Sequence, residues 1–375
     1  MKTGLTSFRA FAFLAVFLFH LSVFGIGPQN VGFLGVQAFF VLSGFLLTPI
    51  LIEMKANLNF RDYFVNFYGR RALRIFPLYY FYLLVVAGLS LLVLDREGYR
   101  GITEMERFLD QLPWTLTYTF NFFHASSLYE YTCLTTHFWS LAVEEQFYLI
   151  WPFLLFFTPK RHLKKLLLVL IIAGPVVRFL IFAIFKADML PIFHQRLDVV
   201  VYVLPFSHID AFAIGGFFAL FQKSKKSWST WLVILAAISL GFISDSFNAV
   251  DRNSPFCLGY APFMKDSYKF IWGYSILNLM FAFILIQVRD GKFVPALLDN
   301  AILEYLGKIS YGLYVFHFPV IWLVFKLLSG SSGFILVSVS LAVTIIISAL
   351  SYEFVEKRFI SMKGKYFPKK QPAIR

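Results

Sequence analysis

Two ionisable residues, Arg9 and His20, interrupt an otherwise apolar stretch at residues 5–25. They are 11 positions apart, almost three turns of an α-helix, so both side chains point to nearly the same face, about 16 Å apart along the axis. Ionisable groups inside a hydrocarbon span are costly and usually face a protein interior or a water-filled cavity. A cation low in this span and an imidazole higher up therefore indicate one wall of a site.

A pair of carboxylates, Glu144 and Glu145, lies inside the apolar sequence HFWSLAVEEQFYLIWP at residues 137–152. If a span begins near Phe138, the two glutamates lie about 10 Å below the outer surface. Adjacent residues on a helix point in different directions. We therefore expect at most one of them to face a given cavity, while the other pairs elsewhere or stays protonated.

A cluster of cations, Arg70, Arg71 and Arg74, shares a basic face just before Pro77. The cluster is explained by membrane topology together with attraction to anionic lipid head groups. It is also explained by phosphate binding, because guanidinium groups match the geometry of phosphate oxygens. Taken alone, the sequence favours the first explanation and leaves the second open.

The remaining candidates each have a structural alternative. Arg178 and Asp210 could bind a substrate, or they could form an ion pair that neutralises two buried charges. His317, near the middle of a predicted span, could contact a substrate or make a packing hydrogen bond. Ser43, beside Gly44, could border a ligand or only allow close helix packing.

The composition places these residues in a membrane protein. Of 375 residues, 59% are hydrophobic and 15% are charged, and the mean hydropathy is +0.70. A soluble domain of this length has about a quarter of its residues charged. The predicted fold is an all-α bundle of about ten transmembrane helices. The ten apolar spans lie at about 5–25, 33–52, 76–94, 138–158, 166–185, 204–221, 228–244, 268–287, 309–328 and 334–354.

The net charge of +13 does not indicate a nucleic-acid partner, because its distribution follows the spans. With a cytoplasmic N-terminus, most Lys and Arg residues fall on the cytoplasmic side, which is the positive-inside bias. Both termini are therefore predicted to be cytoplasmic. We expect a single membrane domain over residues 1–360, followed by a short basic tail at 361–375.

Several other features are not expected. The first span lacks a small-residue cleavage site, so a removable signal peptide is not predicted. No phosphate-binding loop, dinucleotide fingerprint or metal-ligand spacing is found, so no metal or permanently bound cofactor is expected. Cys133 and Cys257 both fall in predicted outer loops, where a disulfide is one possibility.

The chain resembles the membrane acyltransferase-3 family, whose members O-acylate sugars and related hydroxyls. Six motifs carry this resemblance in the family's order, from the first span to the ninth. They are Arg9 with His20, FFVLSGFL, RRALRIFPLY, FWSLAVEEQFYLIWP, HIDAFAIGG and ISYGLYVFHFP.

The resemblance implies an enzyme of the bacterial inner membrane that takes an acyl group, most often acetyl, from cytoplasmic acyl-CoA. The acceptor would be a cell-envelope glycan or its lipid-linked precursor. Lipopolysaccharide O-antigen, capsule, exopolysaccharide, peptidoglycan and small glycosides all remain open, as does the oligomeric state. Some family members carry a fused soluble domain. We expect none here, so the protein would act alone or with a separate transferase.

The residues and the resemblance agree on acyl transfer, which needs a base for the hydroxyl proton and stabilisation of an oxyanion. His20 is the expected base, or a transient acyl carrier, with Glu144 or Glu145 orienting it. Arg9 and Ser43 would hold the acyl donor, and Arg70, Arg71 and Arg74 would meet its phosphates. The alternative function is a transporter or flippase for a lipid-linked or acylated sugar. A membrane scaffold is the least favoured explanation.

Overall fold

The protein is helical throughout the part of the chain that the structure, a computed structural model, describes. That part comprises residues 3–28, 31–94, 103–187, 189, 197–223, 227–247, 255–260, 268–292 and 298–368. It contains no β-strand, which confirms the predicted all-α class. The α-helices are α1 (Thr3–Ser22), α2 (Gly32–Asn57), α3 (Phe60–Leu94), α4 (Thr103–Leu116), α5 (Phe120–Ala125), α6 (Phe138–Phe157), α7 (Lys160–Lys186), α8 (Leu197–Val203), α9 (Ile209–Phe221), α10 (Ser227–Ser246), α11 (Lys269–Arg289), α12 (Ala301–Lys308), α13 (Ser310–Leu327), α14 (Gly333–Ser351) and α15 (Lys357–Tyr366).

Nine helices among the described residues are long and apolar enough to cross a membrane, and they match nine of the ten predicted spans. The other predicted span, 204–221, is a shorter apolar segment. It consists of a 3₁₀ turn, Pro205–His208, followed directly by α9. The structure therefore confirms a polytopic helical membrane bundle.

Helix α3 is longer than the span predicted at 76–94. It has 35 residues and is therefore about 52 Å long, whereas the hydrocarbon core of a bilayer is about 30 Å thick. The segment before Pro77 is thus a helical extension of the span and carries the three arginines on a regular surface.

The chain divides into two compact units. The first unit contains residues 1–49, 121–129 and 158–310, and the second contains residues 50–120, 130–157 and 311–375. The predicted boundary between the membrane domain and the tail, at 360/361, falls within α15. Residues 369–375 of the predicted tail lie outside the described residues. The extent of the membrane domain stays a prediction.

In the first unit, two glycines bring α2 and α9 into backbone contact. A Cβ atom on Gly44 would overlap the backbone of Phe212, and one on Gly215 would overlap the carbonyl oxygen of Val41. Without side chains at these positions, the helices can approach closely, as small residues allow in membrane bundles. The close packing proposed for the Ser43–Gly44 region is present.

In the second unit, three tyrosines of α3 hold the segments that follow it. The hydroxyls of Tyr79 and Tyr80 donate to the carbonyl oxygens of Thr115 and Leu116 at the end of α4, at 2.8 and 3.2 Å. The hydroxyl of Tyr82 donates to the carbonyl oxygen of Leu134, which lies between α5 and α6, at 2.6 Å. Because the last carbonyls of a helix have no partner within it, the bond from Tyr80 supplies one for Leu116, and the other two bonds tie α3 to the end of α4 and to the segment before α6.

Candidate active site

His20 lies near the end of α1 in the first unit and is only 7% exposed. Its Nδ1 atom is 3.0 Å from the carbonyl oxygen of Val16, one turn earlier. A carbonyl can only accept a hydrogen bond, so Nδ1 carries the proton, and Nε2 is the basic nitrogen of the neutral ring. The edge of the imidazole also meets the ring of Phe19, with centroids 5.1 Å apart. These contacts fix both the tautomer and the orientation of the ring, as a general base requires.

The two residues of α1 and α2 that are predicted to contact the acyl donor, Arg9 and Ser43, are in the same unit. Arg9 lies two turns into α1 and is partly buried between buried neighbours, Phe8 and Ala10. Ser43 is partly buried on α2, next to the close contact at Gly44. Both positions are inside the protein rather than on a fully exposed surface.

Glu144 and Glu145 lie on α6 in the second unit, and both are partly buried. They have different surroundings, as the divergence of adjacent helical positions predicts. Glu145 interacts electrostatically with Arg71 and with a group of tyrosines from α3, the α4–α5 turn and α13, whereas Glu144 interacts with Tyr311 and Tyr314 of α13. The tyrosines around Glu145 are Tyr79, Tyr80, Tyr118 and Tyr311.

His20 belongs to the first unit, and the two glutamates belong to the second. The expectation that one of the carboxylates orients His20 stays a prediction.

The arginine cluster of α3 is in the second unit and is only partly exposed. The guanidinium of Arg71 stacks over the rings of Tyr148 and Phe67, at 4.9 and 5.8 Å from their centroids. Arg70 donates from Nη1 to the carbonyl oxygen of Phe367, at 2.8 Å. Arg74 interacts with Arg71 and with Glu356. The three cations are therefore oriented by the protein rather than extended freely into water.

Arg178 and Asp210 form the ion pair that was the structural alternative to substrate binding. Both side chains are fully buried, and the guanidinium meets the carboxylate through two hydrogen bonds of 3.0 Å. The other donors of Arg178 reach Ser275 Oγ and the carbonyl oxygens of Ser207 and Ile271. All five N–H groups of the guanidinium thus have an acceptor. The role of this pair toward a substrate stays a prediction.

His317 is fully buried in α13, and its Nδ1 donates to the carbonyl oxygen of Tyr314 at 2.7 Å. Its ring meets the ring of His137 edge to face, with centroids 5.0 Å apart. The Tyr314 hydroxyl contacts Ser140 and also donates to the carbonyl oxygen of His137. The Tyr314 bonds connect α13 to the start of α6, whereas the His317 bond lies within α13, and a substrate contact for His317 stays a prediction.

Sequence reasoning missed two groups near these residues. Tyr79 and Tyr118, whose rings stack with centroids 4.3 Å apart, lie beside Glu145. The carbonyl oxygen of Phe367, in the predicted tail, binds Arg70. Gly69 gives the Phe367 ring its space, because a Cβ atom there would overlap this ring.

Comparison with known proteins agrees with the resemblance seen in the sequence. The family model described as "Acyltransferase domain" (Acyl_transf_3) matches residues 2–353. O-acetyltransferase OatA of Staphylococcus aureus (strain NCTC 8325 / PS 47) is 28% identical over 386 residues, covering 98% of this chain and 59% of OatA. YrhL of Bacillus subtilis (strain 168), provisionally named a peptidoglycan O-acetyltransferase, is 29% identical over 371 residues, covering 94% of this chain and 54% of YrhL.

The chain thus spans less than two thirds of the length of these relatives. No solved structure matches it. The family model, in contrast, covers nearly the whole sequence and includes every candidate site residue. The chain belongs to the acyltransferase-3 family of membrane proteins.

Proposed function

We propose that the protein is a membrane O-acyltransferase, and specifically an O-acetyltransferase. It moves an acyl group from acyl-CoA on the cytoplasmic side to a hydroxyl of an extracytoplasmic or lipid-linked glycan. Family membership and the names of OatA and YrhL support this chemistry. Of the glycans that the sequence left open, the name of YrhL favours peptidoglycan as the first acceptor to test.

The observation that carries the proposal is the hydrogen bond from His20 Nδ1 to Val16 O. It leaves Nε2 as the basic nitrogen on a buried ring. In the proposed reaction, Nε2 takes the proton of the acceptor hydroxyl while the oxygen attacks the thioester carbonyl. The C–S bond then breaks, and the CoA thiolate leaves with the proton that His20 returns.

A two-step route uses the same nitrogen. His20 Nε2 attacks the thioester carbonyl, the C–S bond breaks, CoA leaves as the thiolate, and an Nε2-acylated imidazolium that keeps its Nδ1 proton forms. The acceptor oxygen then attacks the acyl carbon, the bond from Nε2 to the acyl carbon breaks to restore the neutral imidazole, and the hydroxyl proton is released and balances the thiolate. The two routes differ in one measurable species, an acylated His20 formed in the absence of acceptor.

The other predicted residues are given supporting roles in the proposal. Arg9 and Ser43 contact the acyl donor, and the arginine cluster of α3 binds its phosphates. Glu144 or Glu145 stabilises the imidazolium, as carboxylates do in hydrolase triads. Arg178, Asp210 and His317 are the remaining candidates for contacts with the acceptor.

The first test is replacement of His20. Membrane vesicles containing the protein are incubated with acetyl-CoA labelled in the acetyl group and with isolated peptidoglycan, and label in the glycan is counted. Removing a general base lowers a rate by about 10²–10⁴-fold, so His20→Ala should lose at least 100-fold. His162→Ala is the matched control, because His162 is exposed at the start of α7 and should retain full activity.

Wild-type rates in the His20→Ala variant would contradict the proposed role of His20. If the wild-type protein moves a labelled sugar across the vesicle membrane but transfers no acetyl group to any glycan tested, the transporter explanation replaces the enzyme. Mass spectrometry of the protein after incubation without acceptor separates the two routes, since only the two-step route leaves an acetyl group on His20.

A further inference from the structure

The C-terminal helix α15 brings a fourth cation to the arginine cluster of α3. Lys363 is partly buried and interacts electrostatically with Arg74, Arg71 and Arg70. All four residues belong to the second unit. Lys363 is 289 or more positions away from the arginines in the sequence, so the fold alone brings it to them.

Two contacts fix α15 and the turn after it against α3. Arg70 Nη1 donates to the carbonyl oxygen of Phe367 at 2.8 Å. The ring of Phe367 lies directly on Gly69, where no larger residue would leave room for it. Lys363 is one turn before Phe367, and its position near the arginines therefore follows from a docked helix and not from a loose tail.

Among the residues that the structure describes, basic side chains outnumber acidic ones in this group. Two carboxylates interact with it: Glu356, which is buried and interacts with Arg74, and Glu145, which interacts with Arg71. The group therefore contains four basic and two acidic side chains. Like charges held together in a partly buried site repel each other more strongly than in water, and a bound anion of several charges would relieve this repulsion.

We propose that Lys363 is the second wall of an anion site, facing Arg70, Arg71 and Arg74 across the contact between α15 and α3. The ligand is a phosphate ester with more than one negative charge. Arginines supply paired N–H donors to phosphate oxygens, and the lysine supplies a point charge. This inference rests on the proposed function, in which the ligand is the CoA part of the acyl donor.

Two sources of phosphate fit this chemistry: CoA and the head groups of anionic lipids. The protein is purified in full length and placed in nanodiscs of neutral phosphatidylcholine. The probes are CoA, its analogue lacking the 3′-phosphate, and nanodiscs that contain phosphatidylglycerol. Affinity and thermal unfolding are measured for wild type, Lys363→Gln, Lys363→Arg and the control Lys365→Gln. Lys365 is exposed on the same helix.

We expect Lys363→Gln to bind CoA about tenfold more weakly, as loss of a charge-assisted contact implies. Lys363→Arg and Lys365→Gln should bind like wild type, and the analogue lacking the 3′-phosphate should bind more weakly to all. Without ligand, Lys363→Gln should unfold at the same or a higher temperature than wild type, because one repelling charge is gone. A structural role for Lys363 would instead lower that temperature.

A second variant tests the docked helix. Gly69→Leu displaces the Phe367 ring but changes none of the four basic residues. It should therefore weaken CoA binding, as Lys363→Gln does.

The other outcomes separate the two levels of the proposal. Equal CoA affinity of wild type and Lys363→Gln overturns the assignment of Lys363 and leaves the acyltransferase proposal in place. If the protein binds phosphatidylglycerol but not CoA, the site is assigned to a lipid, and the proposal that it holds the acyl donor is overturned. If the wild-type protein binds neither CoA nor phosphatidylglycerol, the proposed anion site is wrong.

Discussion

At the scale of single residues, Arg178 has an acceptor for each of its guanidinium N–H groups. Its five N–H groups meet two carboxylate oxygens, two carbonyl oxygens and one hydroxyl, all within 3.0 Å. Ser275 receives one of these bonds and donates its own proton to Asp210 at 2.5 Å. The network joins α7, α9 and α11, so it positions three helices of the first unit around one neutralised pair.

This network predicts the effect of removing its negative charge. Asp210→Asn leaves the buried guanidinium without an opposite charge, which typically costs about 3–5 kcal/mol. We expect a clear fall in the thermal unfolding temperature in detergent. Lys357→Gln is the control, since it breaks the exposed Lys357–Glu353 pair, which is worth about 1 kcal/mol or less. A small effect of Asp210→Asn, similar to that of the control, would contradict this account.

The sequence predicted part of this residue-scale arrangement. Two opposite charges in neighbouring apolar spans have few partners other than each other, so the Arg178–Asp210 pair could be anticipated. Ser275 could not, because serine is frequent in transmembrane helices and nothing in its surroundings marks it. The bond from Arg70 to Phe367 O was also out of reach, since a backbone acceptor leaves no trace in residue type.

At the scale of helices, the contact between α2 and α9 depends on glycines at Gly44 and Gly215. In each case the neighbouring helix contributes backbone atoms at the place that a Cβ would occupy. Backbone cannot rotate away as a side chain can. A substitution therefore has to separate the helices.

The glycine contact gives a prediction at this scale. Gly44→Ala should destabilise the protein by about 1–3 kcal/mol, the usual range for overpacking. Gly88→Ala is the control: Gly88 lies within α3 with no atom within 4 Å of the added methyl, so alanine should be neutral or stabilising by up to about 1 kcal/mol. Unfolding in detergent measures both. Equal stabilisation by the two changes would show that α2 and α9 are not in close contact.

Hydropathy predicted most helices but not their full lengths. A span is recognised by its apolar core, so the polar extension of α3 before Pro77 lies outside the span predicted at 76–94. Its helical state depends on side-chain contacts within the second unit, such as the Tyr63 hydroxyl donating to the carbonyl oxygen of Pro152 at 3.1 Å. Contacts of this kind join residues far apart in the sequence and are invisible to a local pattern.

At the scale of the whole molecule, neither cysteine is part of a disulfide, and both are buried. The disulfide that the sequence left open is therefore not formed. Burial raises the pKa of Cys133 to about 12 and that of Cys257 to about 11. The thiolate is the reactive form, so little of it is present at pH 7.5, and reactivity should rise only as the pH approaches these values.

Because both native thiols are expected to react slowly at pH 7.5, membrane topology can be tested without first replacing Cys133 and Cys257. Glu130→Cys and Ser361→Cys add one exposed thiol each, at positions predicted to lie on opposite sides of the membrane. An impermeant maleimide should label Glu130→Cys from outside in right-side-out vesicles and Ser361→Cys only in inverted vesicles. The unmodified protein should remain unlabelled at pH 7.5 until it is unfolded. Labelling of both variants from the same side would refute the predicted orientation.

Pro77 has a mechanical consequence for α3. Proline has no N–H, so the carbonyl of Leu73 loses its usual partner, and the bending stiffness of the helix is lowest at that place. The Tyr311 hydroxyl donates to the neighbouring carbonyl of Ile75 at 3.1 Å and braces one side of this weak point. We therefore expect α3 to bend most easily at Pro77, between the segment that carries the arginines and the segment that carries the tyrosines.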